Sequence, residues 1–193
     1  RTSTRKGARV GWRIRGRGRA EDESRAERPA SGHGKTGPRY AADVQRGVEG
    51  STCGCGIPHL LKGEYTGGAG PGIDVYALRQ PLGVVAGITP VNFPAMIPMW
   101  KFAPSIACGN AFILKPSERD PGVPMRLAEL MIDAGVPAGV PNVANGHKGA
   151  VDARLVHPGN AAFGLVRSTP TVVVYYARGV AADECVEAAV PTD

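Results

Sequence analysis

A chain of 193 residues is long enough for one domain with its own hydrophobic core, or for part of a larger one. Its net charge of +6 is uneven, since residues 1–46 hold 13 Lys and Arg against 5 Asp and Glu, and residues 47–193 hold 10 against 12. The basic character therefore says nothing about a ligand of the later part. Pro and Gly interrupt every apolar run, and no secretory signal pattern is present, so a cytoplasmic protein is expected.

The chain begins with Arg rather than Met, so we expect a processed, truncated or partial sequence. Residues 1–31 are rich in Arg, Gly, Ser and Glu without helical or strand periodicity, which predicts a disordered leader. Alternating arginines from Arg13 to Arg19 would suit nucleic-acid phosphates, but Trp12 is the one aromatic residue there for stacking on bases. A solvated leader, or sequence from an incorrect start or frame in GC-rich DNA, is favoured over a nucleic-acid-binding tail.

The cysteines, Cys53, Cys55, Cys108 and Cys185, match no known framework. Cys53 and Cys55 have a single residue between them, whereas the cysteines of a zinc ligand pair are separated by about two to four. No metal site is predicted. Unpaired thiols in a reducing compartment are the simpler interpretation.

Upstream of the central unit, Gly50, Ser51 and Gly54 weaken any helix over residues 50–55. A Gly-rich turn at 67–72 then leads into Ile73–Leu78. This segment is a predicted strand that would pair with neighbouring subunits or domains.

A strand–helix–strand unit follows. Leu82–Ile88 is an apolar run rich in Val and Ile, typical of a strand buried on both faces. Residues 95–108 are predicted to form an apolar helix that Pro98 and Pro104 shorten or kink, with Gly109 closing it. Ala111–Leu114 is a second buried strand.

Polar residues follow each of these two strands. Asn92 lies between Pro90 and Pro94 after the first strand, and Lys115 follows the second. Because such units bind ligands at the carboxyl ends of their strands, both clusters are candidate site residues. Asn92 is also placed to cap the helix that follows.

Further strands and helices alternate after this unit, which predicts a doubly wound parallel sheet. The strongest helical pattern runs from Pro121 to Ala134, with Asp120 as its cap and Gly135 as its stop. Its apolar face comprises Val123, Leu127, Leu130, Met131 and Ala134. The later elements are a strand at 140–144 weakened by Pro141, a helix at Gly149–Val156, a strand at Ala161–Val166, a helix begun by Pro170, and the β-branched segment Val172–Tyr176, whose local propensity opposes that helix.

The phrases ITPVNFPAM, ACGN and LKPSERDP resemble the aldehyde dehydrogenase superfamily, and within it the CoA-acylating methylmalonate-semialdehyde dehydrogenase branch. The resemblance is strong from Gly56 to His157 and patchy over Gly32–Cys55, where HGKT and the start of the next helix match. It implies an α/β, doubly wound (Rossmann-like) cofactor-binding domain over residues 32–193, incomplete and without the catalytic domain, behind the leader 1–31.

The resemblance also implies roles for the polar residues. The family's Asn at the position of Asn92 donates its amide to the oxyanion formed when a thiolate attacks an aldehyde. Its Lys and Glu at Lys115 and Glu118 hydrogen-bond the adenosine ribose of NAD. Each of these residues also has a purely structural alternative. Asn92 would be a helix cap. Lys115 would be a lysine at the end of a strand, and Glu118 a carboxylate favoured by a helix N-terminus.

Other residues complete the implied wall for NAD. They are Arg119, Thr89 and Val91, the last replacing a family Phe. Ser168 matches the serine of the family's Gly-Ser loop at the pyrophosphate. Arg167 stands where the family has the preceding Gly, and obstruction of the phosphate is expected there.

The implied reaction is the NAD-dependent oxidation of methylmalonate or malonate semialdehyde to propionyl-CoA or acetyl-CoA, by a homo-oligomer acting on a small-molecule aldehyde with coenzyme A as co-substrate. The family's nucleophilic Cys lies beyond the position of Asp193, while Cys108 matches the structural ACGN motif, so the chain alone is expected to be inactive. The alternatives are a non-catalytic nucleotide-binding or subunit-interaction remnant and, less favoured, nucleic-acid binding through the leader.

Overall fold

The computed structural model describes residues 37–155, 157–166, 172–174, 177 and 185–189. Within these residues helices and strands alternate along the chain. They are α1 (Gly37–Leu60), β1 (Tyr65–Gly70), β2 (Ile73–Tyr76), β3 (Val84–Ile88), α2 (Met96–Ala107), β4 (Ala111–Lys115), α3 (Gly122–Asp133), β5 (Pro141–Val143), α4 (Lys148–Leu155), β6 (Ala162–Val166) and β7 (Cys185–Ala189).

Parallel strands form the main sheet, in the order β5-β4-β3-β6-β7. From β3 the chain moves outward to β4 and β5, then crosses back to β6 on the other side of β3. The order reverses between β3 and β6, which makes this gap the switch point at which such sheets bind ligands. The predicted doubly wound, Rossmann-like α/β fold is confirmed.

Apolar side chains cover both faces of the sheet. One core packs α1, α2 and α3 against β3 and β4, and includes Phe102, Phe112 and Met131. The other core joins Ile88 and Leu165 to Val151 of α4 and to Val172, which follows β6. Because alternate residues of a strand point to opposite faces, two cores require strands that are apolar throughout, as the sequence of β3 and β4 is.

The central strand–helix–strand prediction is confirmed with small shifts at its ends. β3 begins at Val84 rather than at Leu82, which is exposed, and α2 begins at Met96. Pro98 lies in the first turn of α2, where its missing N–H costs no intrahelical bond. Gly109 has a φ of 91°, the left-handed conformation that ends the helix as predicted.

α1 runs unbroken through the segment expected to weaken it. Because its glycines have no side chain, α2 packs very close to α1. A methyl group added at Gly47 would lie 2.6 Å from Met99 Sδ, and one added at Gly54 would lie 3.3 Å from Ala103 Cβ. A methyl group at Gly50 would overlap the Trp100 ring. The expected weakness is therefore offset by tertiary packing, for which the absence of a side chain is required.

Downstream predictions are confirmed in outline. The predicted apolar face of α3 is buried, and Gly135, with a φ of 90°, ends the segment. Asp120 does not cap α3, because the N-cap residue is Pro121 and no side chain bonds there. Pro141 begins β5, which pairs with β4 alone among the described strands, so its missing donor is tolerated. Residues 172–174 are helical, against their local strand propensity.

β1 and β2 form a separate antiparallel hairpin. The predicted Gly-rich turn at 67–72 is too long, since the strand extends to Gly70 and the turn is confined to residues 71–72. The Asp74 carboxylate ties the hairpin together, accepting hydrogen bonds from the Tyr65 hydroxyl at 2.7 Å and the Gly68 N–H at 2.8 Å.

No helix in the described part of the chain is long and apolar enough to cross a membrane.

Paired alanine substitutions in α1 test the role of its glycines. Gly47→Ala should lower the free energy of unfolding by about 1–2 kcal/mol, because the clash with Met99 and Met96 outweighs the roughly 1 kcal/mol gain in helix propensity. Gly56 has open space around its Cβ position, so Gly56→Ala should stabilise instead. Urea denaturation midpoints measure both, and a stabilising Gly47→Ala would contradict close packing.

The stability of the hairpin should depend on pH in both the acidic and the alkaline range. The bonds from Gly68 and Tyr65 hold the pKa of Asp74 below its usual 3.8, so this contribution is present above pH 3.8 and lost as pH falls through the lowered value. The bond to Asp74 raises the pKa of Tyr65 above 10.0, so its contribution is present below pH 10 and lost above the raised value. Chemical shifts of the Gly68 amide report the acid step, which Asp74→Asn should abolish.

Candidate functional site

The two predicted polar clusters meet at the carboxyl edge of the sheet. Thr89 directly follows β3 and Lys115 is the last residue of β4, in register with Ile88. The Thr89 N–H donates to the Lys115 carbonyl oxygen at 3.1 Å, so the chain leaves both strands at one level. The sequence prediction of a shared edge is therefore correct in its geometry.

Lys115 and Glu118 form an ion pair with very unequal exposure. Lys115 Nζ lies 3.0 Å from Glu118 Oε2, and the side chains are 3% and 38% exposed. The Lys115 side chain is almost fully buried, so its ammonium group depends on the counter-charge of a carboxylate that is partly exposed. A carboxylate that is partly exposed can accept a hydrogen bond from a ligand while the ammonium group orients it.

Ser117, which sequence reasoning passed over, shapes the turn that carries Glu118. Its side chain is buried, and its hydroxyl oxygen accepts the Arg119 N–H at 3.3 Å. This bond between residues two apart is a common serine turn, and the sequence signal was the serine after Pro116. Glu118 and Arg119 are held on the exposed side of the turn as a result.

The Thr89 side chain is 1% exposed, and its hydroxyl has no hydrogen-bond partner among the described residues. An unpaired buried hydroxyl is unfavourable by about 1–3 kcal/mol. Its position at the strand ends fits a site that receives a polar ligand or a bound water. Val91, two residues on, is half-buried.

Asn92 is exposed, and it does not cap α2. The N-cap residue of α2 is Ala95, which makes no side-chain cap bond. The buried carboxylate of Asp43, from α1, instead accepts the N–H groups of Ala95 and Met96. Of the two interpretations of Asn92, the helix cap is therefore wrong, and its amide is left at the carboxyl edge.

Other predicted residues fall elsewhere. Ser168 and Arg167 lie outside the described residues, just after β6 in sequence. Cys108 ends α2 before β4 begins, so it lies at the amino edge of the sheet, opposite Asn92. Burial raises the pKa of its thiol, which disfavours a nucleophilic thiolate. Within the described residues no group of His, Cys, Asp or Glu is arranged to hold a metal ion.

A doubly wound parallel sheet with its polar groups gathered at the switch-point edge defines an α/β domain of the ligand-binding, Rossmann-like class. The chain belongs to the aldehyde dehydrogenase family, whose model matches residues 18–182. That range begins within the segment 1–31 described above as a leader.

Relatives at high identity confirm the resemblance to the semialdehyde branch. The malonate-semialdehyde dehydrogenase of Pseudomonas aeruginosa is 50% identical over 156 residues, covering 81% of this chain and 31% of that protein. The mitochondrial acylating methylmalonate-semialdehyde dehydrogenase of Arabidopsis thaliana is 45% identical over 148 residues, covering 77% of this chain and 24% of its own length. This chain therefore spans about a third or less of these two relatives.

Solved structures agree with the fold. A Sinorhizobium meliloti protein described as a methylmalonate-semialdehyde dehydrogenase, in complex with NAD, has a TM-score of 0.94 at 53% identity, covering 97% of this chain and 38% of that one. The methylmalonate-semialdehyde dehydrogenase of Oceanimonas doudoroffii has a TM-score of 0.96 at 42% identity, covering 100% of this chain and 40% of that one.

The unequal burial of the ion pair predicts an unequal effect on stability. Glu118→Gln should lower the free energy of unfolding by about 1–3 kcal/mol, because it leaves the buried Lys115 ammonium without its counter-charge. Glu129→Gln is the matched control, since Arg126 and Glu129 form an exposed pair of the same i,i+3 spacing. Its effect should stay within about 0.5 kcal/mol. Equal losses in the two variants, by thermal unfolding, would contradict the assignment.

Proposed function

We propose that this chain forms the NAD-binding part of a CoA-acylating malonate- or methylmalonate-semialdehyde dehydrogenase. The observation that carries the proposal is the Lys115–Glu118 pair at the carboxyl edge of β4, the strand next to β3 on the side away from the switch point. The residues present fit the cofactor: a solvent-facing carboxylate, a buried cation that orients it, and an unpaired buried hydroxyl at Thr89.

The pair suits the adenosine ribose of NAD for a chemical reason. Ribose hydroxyl groups both donate and accept hydrogen bonds, so a carboxylate accepts from one while an ammonium group donates to another. The carboxylate also repels a phosphate at the ribose 2′ position, which favours NAD over NADP. Arg119, exposed next to Glu118, is the group that would oppose this preference by attracting such a phosphate.

The remaining roles are assigned to residues that follow β3 and β6 in sequence, at the carboxyl edge of the sheet. Bound NAD supplies the hydride acceptor. Thr89 and Val91 contribute to the wall beside the nucleotide, and Ser168 is assigned to the pyrophosphate. Asn92 is assigned as the donor to the oxyanion of the attacked aldehyde, and its exposure and release from helix capping support that role. The nucleophilic thiol is not assigned to Cys108, which lies at the other edge of the sheet with its pKa raised.

The substrate and setting are proposed from the relatives and from the surface. Malonate or methylmalonate semialdehyde is the proposed aldehyde, in line with the names of the similar enzymes. Coenzyme A is the proposed acyl acceptor, in line with the word acylating in one of those names. Self-association is proposed because the β1–β2 hairpin exposes Tyr65, Ile73, Val75 and Tyr76. The proposed compartment is the cytoplasm, since Cys53, Cys55 and Cys108 form no disulfide.

Calorimetric titration of the full chain with NAD and with NADP tests the proposal. We expect weak but measurable NAD binding and weaker NADP binding. Glu118→Gln should reduce NAD affinity about 10- to 100-fold, because a charged hydrogen bond contributes about 1.5–3 kcal/mol. Glu129→Gln, on the exposed face of α3, should leave it unchanged. A folded chain that binds neither nucleotide, or binds NADP as tightly as NAD, would reject the proposal.

A further inference from the structure

A buried carboxylate on α1 controls the start of the helix that follows Asn92. Asp43 is 1% exposed. Its Oδ1 accepts the Met96 N–H at 3.0 Å and its Oδ2 accepts the Ala95 N–H at 3.3 Å. These amides lie at the beginning of α2, where backbone N–H groups have no partner within the helix. Asp43 therefore acts as a cap supplied from another element.

This cap is strong for two reasons. Both acceptor atoms belong to a carboxylate, and its negative charge strengthens each bond relative to a neutral acceptor. The carboxylate also faces the positive end of the α2 dipole in a site from which water is excluded. An alanine at the N-cap, as here, contributes nothing of its own, so the start of α2 depends on Asp43.

The position of Asp43 is itself rigid. Gly47, one turn further along α1, brings the backbone of that helix against Met96 and Met99 of α2. The carboxylate and the amides that it accepts are thus held by the same helix contact. A shift of α1 along α2 would break the two hydrogen bonds and the glycine packing together.

The loop from Thr89 to Ala95 is anchored at both ends, and Asn92 lies between the anchors. At one end the Thr89 N–H donates to the Lys115 carbonyl oxygen at 3.1 Å. At the other end Pro94 and Ala95 are buried, and Asp43 holds Ala95. Asn92 is exposed between them. Its place at the carboxyl edge therefore follows from where these two ends are fixed.

We infer that Asp43 is a positioning residue for Asn92, setting the geometry of the amide that donates to the oxyanion. This inference rests on the role proposed above for Asn92. Asp43 touches neither substrate nor cofactor, and it acts through Ala95 and the loop. It adds to the site a residue that lies in sequence far from both polar clusters.

Nuclear magnetic resonance of the full chain with ¹⁵N-labelled asparagine tests the inference. The chain contains five asparagines, so the side-chain amide signals are few, and Asn92→Ser identifies those of Asn92. In Asp43→Asn an amide NH₂ replaces one acceptor and faces a backbone N–H. The Asn92 signals should move or broaden, while those of Asn142 and Asn145, beyond α3, stay in place. Where Asp43→Asn fails to fold, Asp43→Glu replaces it, keeping the charge but displacing the carboxylate.

Ser51→Ala provides the matched control on the same helix. Ser51 is also buried, and its hydroxyl donates to the Gly47 carbonyl oxygen at 3.1 Å, without reaching the loop. The Ser51→Ala variant should leave the Asn92 signals unmoved. Signals of Asn92 that stay in place in a folded Asp43 variant would overturn the inference, leaving Asp43 as a stabilising cap only.

The measurement uses no NAD and no aldehyde, so it separates the inference from the proposed function. Moved Asn92 signals together with absent NAD binding would retain the positioning by Asp43 and reject the function. Unmoved Asn92 signals together with normal NAD binding would reject the positioning by Asp43 and retain the proposed function.

Discussion

The parallel pairing of β3 with a neighbour on each side is the constraint on which the rest of the structure depends. Ile88 is in register with Lys115 of β4 and with Leu165 of β6, so three strands reach the same edge at the same level. The candidate site is formed by the end of β4 and by the loops that follow β3 and β4. The pairing also requires a small residue within β3, because the Phe112 ring lies 2.5 Å from where a Gly87 methyl group would stand.

The sequence predicted the parts of this arrangement whose causes are local. Leu82–Ile88 indicated a buried strand by its Val and Ile content, and Gly109 marked the end of α2 by the left-handed conformation that glycine allows. Strand–helix alternation was enough for the fold class, since parallel neighbours need a crossover between them. The position of Lys115 at a strand end followed from the same pattern, and so did its nearness to the residues after β3.

What the sequence did not reveal depends on contacts between distant segments. The glycines of α1 read as weaknesses of a helix, whereas they are the surface against which α2 packs. Asp43 is an ordinary helix residue by sequence, and its partners at residues 95 and 96 are set by that same packing. The burial of Lys115 beside an exposed Glu118 is likewise a tertiary property. Charge and spacing predicted that Lys115 and Glu118 would act together, but they did not predict which of the two side chains would be buried.

The two sheets differ in how they are stabilised, and the difference bears on what surrounds this chain. The five-stranded sheet is covered on both faces by its own helices and holds its own core. The β1–β2 hairpin exposes apolar side chains, and its side-chain bonds to Asp74 lie in solvent. Two-stranded sheets of this kind are marginally stable in water. Burial of Tyr65, Ile73, Val75 and Tyr76 against further protein would supply the stabilisation that its hydrogen bonds do not. Among the described elements the hairpin is therefore the one whose stability depends most on a partner surface, whereas the candidate site is held by the sheet and by its contact with α1.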